Sequence, residues 1–88
     1  MASEAEATRL NRLLYRAKHR GTKEMDWLLG RYAEAKLGVM TAAEVDLFEA
    51  LCALPDPDVQ DWILAAGAVI DPAYEALVGD LRRFHGLG

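Results

Sequence analysis

Apolar residues recur along this chain at three- and four-residue intervals, in five stretches separated by brief polar or Gly/Pro punctuation. The first stretch carries Leu10, Leu13, Leu14 and Ala17 as a narrow stripe, with Tyr15 toward its edge. Ser3 and Glu6 have the spacing of a capping box ahead of it. The second runs from Lys23 to Leu37, with Met25, Leu28, Leu29, Tyr32, Ala33 and Leu37 on one side. Gly30 in its middle costs about 1 kcal/mol relative to Ala, a cost that close approach of another helix explains. Gly38 suits the position just past its end.

The third stretch opens with Thr41 and Glu44, again at capping-box spacing, and Met40 and Val45 are placed to form a hydrophobic staple. Its apolar face is Val45, Phe48, Leu51 and Cys52, edged by Leu47 and Leu54, and Pro55 stops it. The fourth begins at Asp56-Pro57, read as an N-cap followed by a first-turn proline, and buries Val59, Trp62, Ile63 and Ala66 before Gly67. The fifth repeats the device at Asp71-Pro72 and carries Tyr74, Leu77, Val78, Leu81 and Phe84, with Arg82 and Arg83 near its end. No run alternates with period two between hairpin turns, so no sheet is expected. Helices this short need one another's apolar faces. The expected fold is therefore all-α, a small single-domain bundle of five short helices, with fraying at residues 1–8 and 85–88.

Composition changes this picture little. At 88 residues, 52% of them hydrophobic and 27% charged, the chain is one ordinary small domain. A chain of this size buries only about 60–65% of its unfolded surface and has little area to spare for a deep private pocket. The longest apolar run, Ile63 to Ile70, falls well short of the roughly 20 residues a membrane span needs. No membrane insertion is expected. The acidic N-terminus has neither a signal-peptide core nor the Arg-rich look of a presequence. A bacterial cytoplasmic protein is expected, or a mature form without its presequence. Nothing resembles a long heptad, so a monomer is expected. Cys52, the single cysteine, reads as a small buried hydrophobe, and His19 and His85 have no companions for a metal site.

Charge is unevenly spread. The net charge is −4, yet Arg9, Arg12, Arg16, Lys18, Arg20 and Lys23 follow one another with no acid among them. From Glu24 onward the only bases are Arg31, Lys36, Arg82 and Arg83. Clustered cations invite a nucleic-acid reading. The acidic total and the lack of a basic second helix weigh against it. A bipolar chain of this kind is equally suited to steering onto a protein of complementary field.

The basic helix ends at Arg20-Gly21-Thr22-Lys23-Glu24. Gly is the residue that turns left-handed after a helix without a Cβ penalty. Arg20 is expected in the last turn of the first helix and Glu24 in the first turn of the second, each complementing a dipole end. Thr22 is the expected N-cap. A bland reading is that Arg20 and Glu24 only cap their helices and pair at the surface.

The corner also resembles something more specific. Arg20-Gly21-x-x-Glu24, preceded by a basic helix and followed by Asp26-x-Leu28-Leu29-Gly30-Arg31-Tyr32-Ala33, is similar to the signature of the succinate dehydrogenase assembly factor 2 family. Asp56-Pro57-Asp58-Val59-Gln60-Asp61-Trp62-Ile63 resembles the acidic, Trp-containing start of that family's fourth helix. The likeness covers most of the chain. It implies a small helical assembly factor that binds the apo-flavoprotein subunit of succinate dehydrogenase, and of fumarate reductase as a second target, and promotes covalent attachment of FAD. It also implies a contact surface formed by Arg20, Gly21 and Glu24, with Asp26, Arg16 and His19 as further candidates. Docking would hold the flavoprotein so that its own histidine meets the flavin methyl group, an effect of proximity.

The residues themselves offer no Gly-rich phosphate loop, dinucleotide fingerprint or Ser/His/Asp set. No catalytic residue, no enzyme activity and no cofactor of its own are expected; FAD would be carried by the partner. The carboxylate pairs Asp56/Asp58 and Glu44/Asp46 sit at helix starts and read as caps. Trp62 reads as core, whereas Trp27, beside Asp26 and off the main stripe, is a candidate interface anchor. The alternatives are a generic helical adaptor and a nucleic-acid binder using the first helix.

Overall fold

Five α-helices account for most of the chain, and no strand occurs among the described residues. The structure is a computed structural model and describes residues 4–87. The helices are α1 (Glu4–Lys18), α2 (Lys23–Lys36), α3 (Ala42–Cys52), α4 (Asp56–Leu64) and α5 (Glu75–Phe84). The chain divides into two compact units, Met1–Met40 and Thr41–Gly88.

In the first unit α1 packs against α2. Leu13 and Ala17 of α1 are buried, as are Met25, Leu28, Leu29, Tyr32 and Ala33 of α2, all at positions the periodicity marks. Gly30 shows why a helix tolerates the residue. A Cβ built there would lie 3.1 Å from Lys18 Cα and 3.1 Å from its Cγ, so α1's last residue passes where any side chain would stand. Lys18 also reaches Glu34 across the helix pair at 3.5 Å, a half-exposed ion pair worth well under about 1 kcal/mol. Close backbone packing, not that pair, sets the register. Beyond Lys36 the chain tightens into a 3-10 turn at Leu37–Val39 that buries Leu37. Gly38 therefore lies inside a turn with negative φ, not at the left-handed stop expected of it.

In the second unit α3 begins with a reciprocal cap. Glu44 N–H donates to Thr41 Oγ1 at 3.2 Å, and Thr41 N–H donates to Glu44 Oε1 at 2.9 Å. Val45, Phe48, Leu51 and Cys52 are buried, with Phe48 and Leu51 fully so. At α4, Pro55 takes the N-cap position with no side-chain cap, and Asp56 and Pro57 are already helical. This displaces Asp56 from the capping role expected of it. The helix ends at Leu64, where Ala65 turns extended, so Ala66 is exposed instead of joining the core and Gly67 (φ 82°) belongs to the following turn.

Asp71 does cap, but it caps the 3-10 turn Pro72–Tyr74, accepting from Ala73 N–H at 2.9 Å, and α5 starts only at Glu75. Trp62 is half-buried and stacks on Tyr74 with ring centres 5.8 Å apart. Arg82 has a task beyond complementing its own helix end. One guanidinium nitrogen donates to the Ile63 carbonyl at the end of α4, and the other to the Leu87 carbonyl at 2.9 Å. Leu87, in the segment expected to fray, is thereby bonded to α5. At the other end α1 is already helical from Glu4, and the cap assigned to Ser3 lies outside the described residues.

Gly30→Val should destabilise the chain by about 1–3 kcal/mol, since its methyls must displace helix backbone. Gly38→Ala, where the space is open and φ is negative, should be neutral or slightly stabilising. Urea unfolding followed by far-ultraviolet circular dichroism separates the two.

Candidate functional site: the elbow between the first two helices

The reversal from α1 to α2 takes four residues, His19 to Thr22, and three side-chain or backbone devices hold it. Gly21 turns at φ 105°, a region that L residues with a Cβ rarely enter. Thr22 is extended and its Oγ1 accepts from Met25 N–H at 3.3 Å, satisfying one of the donors left open at the start of α2. Asp26 closes the corner: its Oδ1 accepts a hydrogen bond from the backbone N–H of Arg20. A carboxylate accepting from a main-chain N–H is among the stronger hydrogen bonds available to a turn.

The six residues singled out from the sequence fall on one continuous segment and divide into distinct placements. Arg16 is exposed in the last turn of α1. His19 is exposed just beyond that helix, where Nδ1–H donates to the Tyr15 carbonyl at 2.8 Å. Arg20 lies two residues past the end of α1 and is half-buried, so it occupies the bend and not the last helical turn expected for it. Arg16 and Lys18 supply the cations of that turn. Gly21 is exposed, and a Cβ added to it would meet nothing within 4 Å. Glu24 is exposed in the first turn of α2, as expected. Asp26 is half-buried and engaged with the backbone of its own chain. Its placement is that of a clasp behind the elbow.

Two aromatic side chains enlarge this surface. Trp27, on the outer side of α2, is 48% exposed, in keeping with an interface anchor. Tyr15 is 64% exposed and stacks on His19, with ring centres 4.0 Å apart and planes inclined by 21°. The sequence pattern alone assigns Tyr15 only to the margin of an apolar stripe. Its angular position carried the signal: two residues from both Leu13 and Ala17, it points about 160° away from each. Among the described residues no cluster of three or more His, Cys, Asp or Glu could hold a metal, and Cys52 is buried.

This geometry lies within a stretch of known kind. A family model described as "Flavinator of succinate dehydrogenase" matches residues 11–85. The chain belongs to that family. It is 43% identical over 63 residues to the FAD assembly factor SdhE of Acetobacter pasteurianus, a match covering 72% of this chain and 58% of that protein. It is 39% identical over 83 residues to the mitochondrial succinate dehydrogenase assembly factor 2 of Dictyostelium discoideum, covering 94% of this chain and 57% of the other. The mitochondrial succinate dehydrogenase assembly factor 2 of Mycosarcoma maydis is 42% identical over 60 residues, 68% of this chain and 25% of its own. The chain thus spans between 25% and 58% of the length of these relatives. No solved structure matches the chain.

The clasp makes a prediction of its own. Asp26→Ala should leave the Arg20 amide without its acceptor and raise its hydrogen-exchange rate, at a cost of about 1–2 kcal/mol to the local fold. Asp26→Asn keeps an acceptor oxygen and should stay close to the parent rate. Amide exchange followed by nuclear magnetic resonance reads both.

Proposed function

We propose that this chain is a protein-binding assembly factor that docks on the apo-flavoprotein subunit of succinate dehydrogenase and promotes covalent attachment of FAD there. The observation that carries the reading is the family match over residues 11–85, which contains the entire elbow, all of α2 and the second half of α1. The geometry supports a docking role for that corner. Gly21 and Glu24 face solvent, Arg20 sits half-buried just before Gly21 in the bend, and the clasp and cap hold the backbone in one shape. A surface already fixed loses less conformational freedom on binding than a mobile loop does.

In this reading each candidate residue has a separate task. Arg20 contributes a guanidinium suited to bidentate capture of a partner carboxylate. Gly21 lets the flavoprotein backbone approach closely, since nothing projects from it. Glu24 offers an acceptor beside that cation, Arg16 and His19 extend the contact along α1, and Asp26 holds the shape. No step of the chemistry falls to this chain, and no residue of it is assigned to hold FAD. Binding fixes the flavoprotein's domains so that its own histidine and the flavin methyl group meet, which is catalysis by proximity in the partner. Fumarate reductase is a second target on the same reasoning. The site of action is the compartment in which the flavoprotein folds, the cytoplasm in a bacterium; no described helix is long and apolar enough to cross a membrane.

Replacing the arginine tests the reading. In cells lacking the natural protein, Arg20→Ala should leave the helical circular dichroism intact yet reduce in-gel flavin fluorescence of the flavoprotein by about tenfold or more, as loss of a hot-spot side chain does. Normal flavinylation would leave a generic adaptor as the better description. Strongly salt-dependent binding to nucleic acid, with no effect on flavin, would favour the basic helix as a phosphate contact instead.

A further inference from the structure

The outer face of α1 has features beyond the helix pair and beyond the corner formed by Arg20, Gly21 and Glu24. Thr8, Asn11, Arg12, Tyr15 and Arg16 line an open groove along it, on the side away from buried Leu13 and Ala17. Tyr15 stands exposed, and its ring is held in place. His19 stacks on that ring, and the same imidazole donates to the Tyr15 carbonyl one turn back. Ring and backbone of one residue are thus both engaged by one neighbour, which lowers the rotamer freedom that a partner would otherwise have to remove. Exposed, pre-ordered tyrosine flanked by arginine is the composition of interface hot spots.

Charge says what kind of surface fits this face. Among the described residues neither Arg12 nor Arg16 forms an ion pair, and no acid occurs between Arg9 and Lys23. A neutral apolar partner would cover two guanidinium groups without pairing them, which is costly, and a basic one would be repelled. The occupant must bring carboxylates placed around an apolar side chain. The face runs directly into His19 and Arg20, so one partner can cover both.

We propose that the outer face of α1, with Tyr15 as anchor and Arg12 and Arg16 as paired cations, docks an acidic segment of the same flavoprotein subunit, separate from the part that meets Arg20, Gly21 and Glu24, so that Arg16 belongs to this second contact. This rests on the docking reading above. Tyr15 fills the apolar part of the contact, the arginines fix the orientation of the acidic segment, and the elbow then falls on its own target. Two-point attachment of this sort sets the angle of approach, which a single corner cannot do.

Calorimetric titration of the full chain into purified flavin-free flavoprotein tests the proposal. Tyr15→Ala should weaken binding about 10- to 100-fold, whereas Tyr15→Phe, which keeps the ring, should stay within about threefold. The double variant Arg12→Glu, Arg16→Glu should weaken it comparably and lose the decline in affinity with added salt that the parent shows. All three positions are solvent-exposed, so circular dichroism should be unchanged. If Arg20→Ala weakens binding while Tyr15→Ala and the charge-reversed pair bind as the parent does, the α1 face carries no contact and this proposal falls, but elbow docking stands. If Arg20→Ala also binds as the parent does, the docking reading falls with it. Should Tyr15→Ala instead dissociate a dimer of the chain alone in sedimentation, a second copy is the occupant and the proposal is overturned.

Discussion

A chain that reverses between two helices in four residues must place every backbone N–H it exposes, and here one carboxylate decides the outcome. The Arg20 amide lies beyond α1, and Asp26, one turn into α2, accepts from it. Without that bond the corner would have to open to water or to another acceptor. With it, Gly21 is held at φ 105° and Thr22 is left extended, free to cap Met25. The positions of Arg20 and Glu24 follow from this closure. The clasp therefore connects local hydrogen-bond satisfaction to the surface that the family relationship makes interesting.

The second constraint is steric. Gly30 admits the backbone of Lys18, so the end of α1 is indexed against the middle of α2. Together the clasp and the close approach fix both helices on either side of the corner. A docking surface made from a corner needs this kind of support, because its affinity falls when the loop has to be ordered at the moment of contact. The ion pair between Lys18 and Glu34 adds little, being half-exposed.

Much of the architecture was legible in the residues because it is local. Three-and-four spacing marks Leu13, Leu28, Phe48, Ile63 and Leu81 as core, and all are buried. The Thr41/Glu44 box and the Thr22 cap were readable for the same reason: their partners lie three residues away. Interactions between residues far apart in sequence were not. Arg82 could be read as a cation at its own helix end, but its bond to the Ile63 carbonyl spans nineteen residues. The stop of α4 at Leu64 was hidden because Ala65 and Ala66 are good helix formers and Gly67 is the first punctuation in sight. In the candidate site, the corner was legible from Gly21 and the flanking charges. The role of Asp26 was not, since a carboxylate in a first helical turn looks alike whether it faces solvent or a main-chain amide.

The bond between His19 and Tyr15 has one more chemical outcome. A carbonyl can only accept, so Nδ1 carries a proton and is committed to the Tyr15 backbone. Nε2 is the nitrogen left for other contacts, so the imidazole meets whatever settles on this ridge through one edge only, at the tilt that its stack on the Tyr15 ring fixes.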